Sequence, residues 1–308
     1  MDDSHKVYDA IIIGGGPAGL SAGIYTARAR LSSLLLERGA IGGQIINTEW
    51  VENYPGIESI GGIELTMTMH KQAEKFGLET VTADVTGIEV SGERKLVKTT
   101  KGDFLAAAVI ITGGSERQKL GIPGEAKYTG KGVSYCATCD GAFFRDKAVA
   151  VVGGGNAAIT EALELTKFAS KVTVIHRRDE LRATKILEEK ALAEPKIEVL
   201  WDTVIDEIMG DTFVTRLKVH NVKTDKESDL DVSGVFMAVG FKPNTGYLQG
   251  VLELDSTGSI VTSNNMETSV PGVFAAGDIR SNSIRQVIAA AGDGAIAAIN
   301  AEKYIAGL

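Results

Sequence analysis

The sequence predicts an α/β fold in which one strand–turn–helix unit occurs twice along the chain. Near the start, an apolar run at residues 8–13 leads into a glycine-rich turn at residues 14–19 and then a segment of small residues suited to a helix. The same order returns at residues 148–152, again with a glycine-rich turn and a helical segment behind it. Each copy is followed by a second apolar run. Alternation of this kind builds parallel sheets covered by helices, so we expect two Rossmann-like domains.

The first glycine turn has the spacing G-x-G-x-x-G, with Gly14, Gly16 and Gly19 at the fixed positions. Behind a strand, this spacing places unpaired backbone N–H groups against a pyrophosphate and lets the backbone approach it closely. Glu37 ends the second apolar run about 20 residues further on, where a carboxylate accepts hydrogen bonds from a ribose hydroxyl. This copy is therefore expected to bind FAD or NAD. A glycine turn without a ligand is the alternative.

The second copy differs at the residues that contact the ribose. Its turn reads G-x-G-x-x-A, and its second apolar run ends in His176, Arg177 and Arg178, with Arg182 four residues beyond. Guanidinium groups bind phosphate through charge-assisted hydrogen bonds, whereas a carboxylate would repel a 2′-phosphate. We therefore expect this copy to prefer NADPH. The alternatives are a solvated helix start for the arginines and a supporting role in the loop for His176.

Cys136 and Cys139 are the only two cysteines, and they form a C-x-x-C motif. If a helix begins there, the sulfurs lie one turn apart near disulfide distance, and the unpaired N–H groups favour a thiolate. Asp140 follows directly and can pass a proton to a leaving thiolate. The motif thus indicates a redox-active dithiol. A structural disulfide, a chance pair of buried thiols and half of a zinc site are the alternatives, although zinc requires four ligands and the four histidines are scattered, so no metal is expected.

Composition limits the classes of function. The chain has a net charge of −8, with 23% charged and 44% hydrophobic residues, as in an ordinary soluble globular protein. The negative charge argues against nucleic acid and anionic membranes as partners. No apolar run approaches membrane-spanning length, and residues 1–6 contain no secretory signal. We therefore expect a cytoplasmic protein, in which a C-x-x-C pair is more often catalytic than structural.

Other segments predict the remaining elements. The polar, glycine-rich passage at residues 42–56 is expected to be an irregular loop that lines a ligand. Further strands are expected at residues 81–90, 95–100, 104–111, 197–201, 213–221 and 229–238, the first two as a hairpin. Further helices are expected at residues 63–76, 185–192 and 284–304.

Two breaks rich in glycine and proline, at residues 121–124 and 240–244, divide the chain. The length also suits two domains. We expect a domain that binds FAD or NAD, formed by residues 1–119 and 246–308, with an NADPH-binding domain at residues 120–245 inserted into it. The C-x-x-C motif falls inside the inserted domain.

Taken together, the motifs resemble the low-molecular-weight thioredoxin reductases, a class II branch of the pyridine nucleotide-disulfide oxidoreductases. The resemblance covers nearly the whole chain, including both glycine turns, the C-x-x-C-D-G segment, the arginines after the second copy, and residues 272–278 with Arg285 and Gln286. The location of the dithiol in the pyridine nucleotide domain is the specific feature. The resemblance implies a homodimeric enzyme in which NADPH reduces FAD, FAD reduces the Cys136/Cys139 disulfide, and the dithiol reduces thioredoxin.

The resemblance also implies the residues of the site. Cys136 and Cys139 would form the redox disulfide, with Cys139 facing the flavin and Asp140 supplying protons. FAD contacts would come from Gly14, Gly16, Pro17, Ala18, Gly19, Glu37, Arg38, Gly43, Gln44, Asn53, Val85, Gly277, Asp278, Arg285, Gln286 and Val287. NADPH contacts would come from Gly153, Gly155, Asn156, Ala157, Ala158, His176, Arg177, Arg178 and Arg182.

Three other functions remain open, one of which is a zinc-binding module that metal analysis of the purified protein would exclude. A dithiol oxidase of the same fold would use oxygen in place of NADPH, and the retained arginines speak against it. A flavin-binding redox sensor without turnover would not need its cysteines for any catalytic rate. The chain also departs from the family pattern at Ala142 and Ile284, where aromatic residues are common.

Overall fold

The computed structural model describes residues 6–48 and 50–308, and the side chain of residue 91 is not among the parts described. The expectation that the N-terminus carries no secretory signal falls largely on residues outside this range. The chain divides into two compact units. The flanking unit comprises the described residues up to 116 and residues 242–308, and the inserted unit comprises residues 117–241. These bounds lie three and four residues before those expected from the sequence.

The flanking unit is built on one mixed sheet. Its strands are β1 (Val7–Ile13), β2 (Ser33–Glu37), β3 (Glu79–Thr82), β4 (Val85–Ser91), β5 (Arg94–Thr99), β6 (Phe104–Ile111) and β17 (Val273–Ala275). The order is β3-β2-β1-β6-β5-β4, and β17 also pairs with β6. The first half of β6 pairs with β5 (Phe104 opposite Val97), and its second half pairs with β17 (Val109 opposite Val273). The sheet is therefore completed by a strand from near the end of the chain.

Both faces of this sheet are buried, as its continuous apolar strands predict. Helices α1 (Pro17–Arg28), α2 (Gly62–Lys75) and α6 (Val287–Ala306) belong to this unit, and α1 packs against both α2 and α6. Ile12 and Ile110 point to the helical side, where they join a cluster with Leu20. Their neighbours Ile11 and Val109 point the other way, because successive side chains in a strand alternate between faces.

The inserted unit has three layers. Its parallel sheet contains β8 (Val133–Ser134), β9 (Ala148–Val152), β10 (Lys171–Ile175), β11 (Ile197–Leu200) and β15 (Gly234–Met237), in the order β11-β10-β9-β15-β8. An antiparallel sheet of β12 (Thr203–Gly210), β13 (Val214–Asn221) and β14 (Glu227–Asp231) forms the second layer. Helices α4 (Asn156–Leu165) and α5 (Lys185–Ala193) form the third, and α3 (Ala137–Asp140) is a single turn packed against α4. Val149 and Val151 face the helices, whereas Ala150 and Val152 face the antiparallel sheet.

The chain passes between the units through two short strands, β7 (Ser115–Arg117) and β16 (Phe241–Pro243). Within each unit, a backbone hydrogen bond joins the chain segment that leads into one crossing to the segment that follows the other. In the flanking unit the Asn244 N–H donates to the Gly114 carbonyl at 3.1 Å, and in the inserted unit the Gln118 N–H donates to the Gly240 carbonyl at 3.0 Å.

The fold class predicted from the sequence is confirmed, since two Rossmann-type units are present and one interrupts the other. Several expected elements were wrong in detail. The strand expected at residues 81–90 is two strands, because β3 pairs in parallel with β2 before the chain turns into the β4–β5 hairpin. The strand expected at residues 229–238 is likewise divided between two sheets, and β12 was not predicted. The passage expected to be irregular contains a 3-10 helix at Gly43–Asn47.

The helix expected from residue 284 begins at Val287, because Arg285 has a positive φ of 55° and interrupts the helical path. Helix α1 begins at Pro17, inside the glycine turn, and ends at Arg28. Of the helices in residues 6–48 and 50–308, none combines the length and the apolar character that crossing a bilayer demands.

Candidate active site

The glycine turn after β1 is shaped by close backbone contacts. Gly14 has a φ of 110°, and a Cβ at Gly19 would overlap the Gly14 carbonyl, so both positions require glycine. Gly16 caps α1 without a side-chain hydrogen bond, Pro17 is the first helical residue, and the first turn contains no acid. The N–H groups at the start of α1 are therefore open to an anion. Ala18 is buried directly behind the turn.

Glu37 is held in place at the end of β2 by backbone N–H groups. Its Oε2 accepts a hydrogen bond from the Gly15 N–H at 2.6 Å, and its Oε1 accepts one from the Gly39 N–H at 2.9 Å. A carboxylate has about four acceptor positions, so two remain for hydroxyl groups of a ligand. Arg38 is exposed and forms an ion pair with Glu116.

A cleft opens at the carboxyl ends of β1 and β2. It is lined by Ile13, Gly14, Leu36, Glu37, Arg38, Ala83, Asp84, Val85, Gly113, Asn244, Gly246 and Tyr247. Four of the residues predicted for FAD line this cleft, namely Gly14, Glu37, Arg38 and Val85. Open N–H groups, a positioned carboxylate and an adjoining cleft fit the adenosine diphosphate part of FAD.

Residues distant in sequence meet on the other side of the turn. A Cβ on Gly43 would lie 3.1 Å from the Gly16 Cα, so these backbones are adjacent, and Gln44 follows in the 3-10 helix. A Cβ on Gly277 would lie 3.0 Å from the Ala18 Cβ. The structure thus brings the N-terminal and C-terminal groups of residues predicted for FAD together within the flanking unit.

The segment before α6 is held by side-chain hydrogen bonds. Asn53 Nδ2 donates to Gln286 Oε1 at 3.1 Å, and Gln286 is the residue that caps α6 ahead of Val287. Asp278 Oδ1 accepts a hydrogen bond from the Ser283 hydroxyl at 2.9 Å. Arg285 lies between them in the left-handed region.

A buried ion pair supports this segment. Arg280 Nε donates to Asp293 Oδ2 at 2.6 Å and Nη2 donates to Oδ1 at 3.0 Å, while the Gly277 N–H also donates to Oδ2 at 3.2 Å. Asp293 is 8% exposed, and it fixes the backbone next to Asp278. Sequence motifs did not identify this pair. The available signal was an acid, Asp293, within the alanine- and glycine-rich first half of a helix, since a buried charge requires a partner.

The glycine turn of the inserted unit has the same architecture. Gly153 has a φ of 140°, and Gly155 caps α4 without a side-chain hydrogen bond or an acid in the first turn. Asn156 Oδ1 accepts a hydrogen bond from the Thr184 N–H at 2.8 Å, which ties the turn to the start of α5. Ala157 is exposed at the turn, whereas Ala158 is fully buried behind it.

The arginines predicted for NADPH lie beside this turn. The Arg182 N–H donates to the Gly154 carbonyl at 2.6 Å, which places the loop after β10 against the glycines. Arg177, Arg178 and Arg182 are exposed, and none of them forms an ion pair within residues 6–48 and 50–308. Their guanidinium groups are therefore available to an anion.

His176 is buried beneath the same turn. Its Nε2 lies 3.0 Å from the Glu180 carbonyl oxygen, and a Cβ on Gly154 would overlap its ring. Burial lowers the pKa of His176, and the nearby arginines lower it further. At neutral pH the ring is therefore uncharged, and it packs against the turn.

Cys136 and Cys139 form a disulfide with a Cα–Cα distance of 5.3 Å. Cys136 caps the short helix α3, and its Sγ accepts a hydrogen bond from the Cys139 N–H at 3.2 Å. The expectation of a helical turn that starts at this motif is confirmed. Cys139 is exposed and Cys136 is half-buried, so the disulfide is accessible to a reactant.

Asp140 is oriented by a residue that no motif identified. The Ser134 hydroxyl donates to Asp140 Oδ2 at 2.6 Å and accepts from the Cys136 N–H at 3.2 Å. Ser134 is 5% exposed, at the end of β8. It thus joins the acid to the backbone of the first cysteine. These two hydrogen bonds of Ser134 depend on the loop geometry of this segment, which the spacing of residues in the sequence does not predict.

A second buried network precedes the cysteines. The Tyr135 hydroxyl donates to Glu125 Oε1 at 3.0 Å, and Glu125 Oε2 accepts from the Gly121 N–H at 2.7 Å. Burial, followed by the Glu125 carboxylate, raises the pKa of Tyr135 to about 12. The chain directly before Cys136 is therefore fastened to the loop near the first crossing. Within the described ranges there is no cluster of His, Cys, Asp and Glu able to hold a metal.

Comparison with known proteins identifies the class. The family model for pyridine nucleotide-disulphide oxidoreductases matches residues 8–294, and the chain belongs to this family. The protein is thus an oxidoreductase whose cofactors are FAD and NADPH.

Within that family, three similar proteins are thioredoxin reductases. The chain is 48% identical over 307 residues to a thioredoxin reductase of Peptoclostridium litorale, covering 97% of this chain and 98% of that protein. It is 47% identical over 301 residues to a thioredoxin reductase of Bacillus subtilis (strain 168), with 97% and 95% covered. The crystal structure of thioredoxin reductase from Streptococcus pyogenes MGAS5005 superimposes with a TM-score of 0.95 at 48% identity, covering 99% of this chain and 100% of that one.

Proposed function

We propose that the protein is a thioredoxin-disulfide reductase, which transfers electrons from NADPH through FAD and the Cys136–Cys139 disulfide to oxidised thioredoxin. The observation that carries the proposal is the accessible disulfide at the start of α3, within the same unit as the unpaired arginines. The similar proteins named thioredoxin reductase, 45–48% identical over nearly the full chain, support the same conclusion.

The flanking unit is proposed to bind FAD through the residues inferred from the sequence. Open N–H groups at the start of α1 suit the diphosphate, and the two free acceptor positions of Glu37 suit ribose hydroxyls. Gln286 and Asp278 are held by Asn53 and Ser283, which supports a role for the segment before α6 on the remainder of the cofactor. The proposed domain consists of residues 1–119 and 246–308.

The inserted unit, proposed as residues 120–245, is assigned to NADPH. Gly155 and Ala157 leave the start of α4 open to the diphosphate, and the unpaired arginines suit the 2′-phosphate. His176 is proposed to act by supporting the turn from below, since its ring is uncharged and buried against Gly154.

When bound in the flanking unit, FAD would supply the two-electron chemistry that links NADPH to the disulfide. The chain's residues handle the sulfur and proton chemistry. Reduction of the disulfide requires two electrons and two protons, and Asp140, held by Ser134, is proposed to give a proton to a departing thiolate. The Cys139 N–H stabilises negative charge on Cys136 Sγ. One thiolate then attacks thioredoxin's disulfide, and the second cysteine displaces the product and restores the Cys136–Cys139 bond.

We further propose that the enzyme acts as a cytoplasmic homodimer. Apolar side chains remain exposed on the three helices of the flanking unit. They are Tyr25 on α1, Ile63 and Met67 on α2, and Ile288, Ile296 and Ile299 on α6. Such residues favour burial against a second copy. Sedimentation velocity tests this, and a monomer at micromolar concentration would contradict it.

Anaerobic titration of the purified yellow protein tests the electron path. NADPH should bleach the flavin absorbance, and oxidised thioredoxin should restore it. In a Cys139→Ser control, NADPH should still bleach the flavin, but thioredoxin should not restore the colour. A protein that takes up no flavin would contradict the proposal, and a flavin that a dithiol reduces but NADPH does not would favour the oxidase.

A further inference from the structure

Tyr135, the residue directly before Cys136, is held by two side chains of the inserted unit. Its hydroxyl donates to Glu125 Oε1 at 3.0 Å, and the guanidinium carbon of Arg117 lies 5.1 Å from the centre of its ring. A cation over an aromatic face is attracted to the ring at this distance. Tyr135 is 6% exposed, so both contacts are shielded from water. The proposed reaction assigns it no role, although a peptide bond joins it to a redox cysteine.

Glu125 is itself fixed to the fold. It is 2% exposed, and its Oε2 accepts a hydrogen bond from the Gly121 N–H at 2.7 Å. The loop that contains Gly121 is attached to the antiparallel sheet, because the Ile208 N–H of β12 donates to the Pro123 carbonyl at 2.9 Å. The Tyr135 hydroxyl is therefore joined through Glu125 to the sheet rather than to a mobile surface group.

The two cysteines differ in how their surroundings hold them. Cys136 is half-buried, follows the anchored Tyr135, and donates its N–H to the Ser134 hydroxyl at 3.2 Å. Cys139 is exposed, as is its neighbour Thr138, in a helix of a single turn. The restraint thus acts mainly on the first cysteine. A disulfide forms more readily when the motion of its two thiols is restricted, since restriction raises the effective concentration of one at the other.

We propose that Tyr135 is a positioning residue for the redox pair, whose anchoring to Glu125 restricts Cys136 and favours closure of the Cys136–Cys139 bond. The inference rests on the proposed use of this pair as the redox site. In the closing step, one cysteine thiolate attacks the mixed disulfide between the other cysteine and thioredoxin. The Cys136–Cys139 bond forms, the bond to thioredoxin breaks, and the thioredoxin sulfur leaves as a thiolate that takes up a proton.

The test is the equilibrium between the pair and glutathione, measured on the FAD-containing protein without NADPH. Two glutathione thiols reduce the disulfide to two thiols and become one molecule of oxidised glutathione. Alkylation of the free thiols, followed by mass spectrometry of the peptide that holds both cysteines, gives the reduced fraction. Tyr135→Phe removes only the hydroxyl, so the equilibrium constant for disulfide formation should fall about three- to ten-fold, the factor expected for one lost hydrogen bond.

Tyr128 offers a matched control in the same unit. It is also buried, and its hydroxyl donates to the Gly210 carbonyl of β12, so it does not contact the residues that hold Tyr135 through this group. Tyr128→Phe should lower the melting temperature of the protein and leave the glutathione equilibrium unchanged. Tyr135→Phe should change the equilibrium as well as the melting temperature. A role in stability alone would therefore give the same result for both variants.

Three results decide the matter. If the constant for disulfide formation is unchanged or higher in Tyr135→Phe, the proposal is wrong. If Tyr128→Phe lowers this constant as much as Tyr135→Phe does, general loosening of the unit is the cause, and the proposal is also wrong. If the unmodified protein does not reduce thioredoxin with NADPH, the proposed function fails, and the glutathione equilibrium still decides whether Tyr135 restricts Cys136.

Discussion

The two glycine turns have similar backbone conformations, but they differ in the charge of the side chains beside them. In each unit a strand ends in a positive-φ glycine, and a helix begins without a side-chain cap or an acid in its first turn. In the flanking unit, Glu37 ends the second strand and is fixed by two N–H groups. In the inserted unit, that place holds a buried neutral histidine and three arginines that form no ion pair with the described residues. The backbone thus suits a diphosphate in both units, and we propose that the residues after the second strand decide which ribose is accepted.

The largest expected effect concerns the feature that only the inserted unit has, its disulfide. Cys136→Ser or Cys139→Ser should reduce thioredoxin reduction by about a thousand-fold or more, because the exchange chemistry requires both sulfurs. NADPH should still reduce the flavin in stopped-flow absorbance. Substantial turnover in either variant would place the reactive dithiol elsewhere.

Buried carboxyl groups give the next contrast. Asp293 in the flanking unit is held by Arg280, whereas Glu161 Oε2 in the inserted unit has no hydrogen-bond partner in the described residues. Burial raises the pKa of Glu161 to about 7, although Arg117 opposes the shift. The folded state therefore holds this proton more tightly than the unfolded state. The contribution of this group to the free energy of unfolding is fully present below pH 4.5, the pKa of the group in the unfolded state. It is lost as the pH rises towards 7, the pKa in the folded state.

Glu161→Gln should therefore raise the free energy of unfolding more at pH 8 than at pH 5. The difference between the two pH values should be up to about 3 kcal/mol. Urea unfolding at the two pH values measures the difference. Glu164→Gln is the matched control on the same helix, since Glu164 is paired with Lys167 at 2.5 Å and should show no such gain. A benefit of Glu161→Gln that is equal at both pH values would contradict the raised pKa.

The arginines allow the ribose preference itself to be tested. Arg177→Ala or Arg178→Ala should raise the KM for NADPH about ten- to fifty-fold, as expected for loss of a charge-assisted phosphate contact, with little change for NADH. Steady-state kinetics with both nucleotides gives the measurement. Arg216→Ala is a control, because Arg216 is paired with Asp229 and Asp231 on another sheet. Equal losses with NADPH and NADH would show that the arginines do not read the 2′-phosphate.

The smallest expected effect concerns Ser134. Ser134→Ala should lower kcat several-fold, because Asp140 loses the hydroxyl that orients it, while the KM for NADPH should not change. Asp140→Asn should lower kcat more than Ser134→Ala does. Adding Ser134→Ala to the Asp140→Asn variant should cause no further loss of kcat. Additive losses in the double variant would mean that Ser134 acts independently of Asp140.

The features predicted from the sequence were those that depend on neighbouring residues. The glycine turns, Glu37 and the C-x-x-C helix each follow from spacing within about 25 residues, and both ends of β6 were predicted correctly. The break between β3 and β4 was not predicted, because the strand changes partner there without any change in its pattern. Ser134 and Arg280 were also missed, since their contacts depend on side chains that only the folded chain brings near.

The second half of β6 pairs with β17, and α1 packs against α6, so the flanking unit includes both ends of the described chain. The inserted unit is continuous in sequence. As the polypeptide leaves the ribosome, residues 117–241 are complete and free to collapse while the edge of β6 is still bare. The first domain to begin synthesis is therefore the last to finish folding, and a chain cut short before β17 would leave that edge open to aggregation.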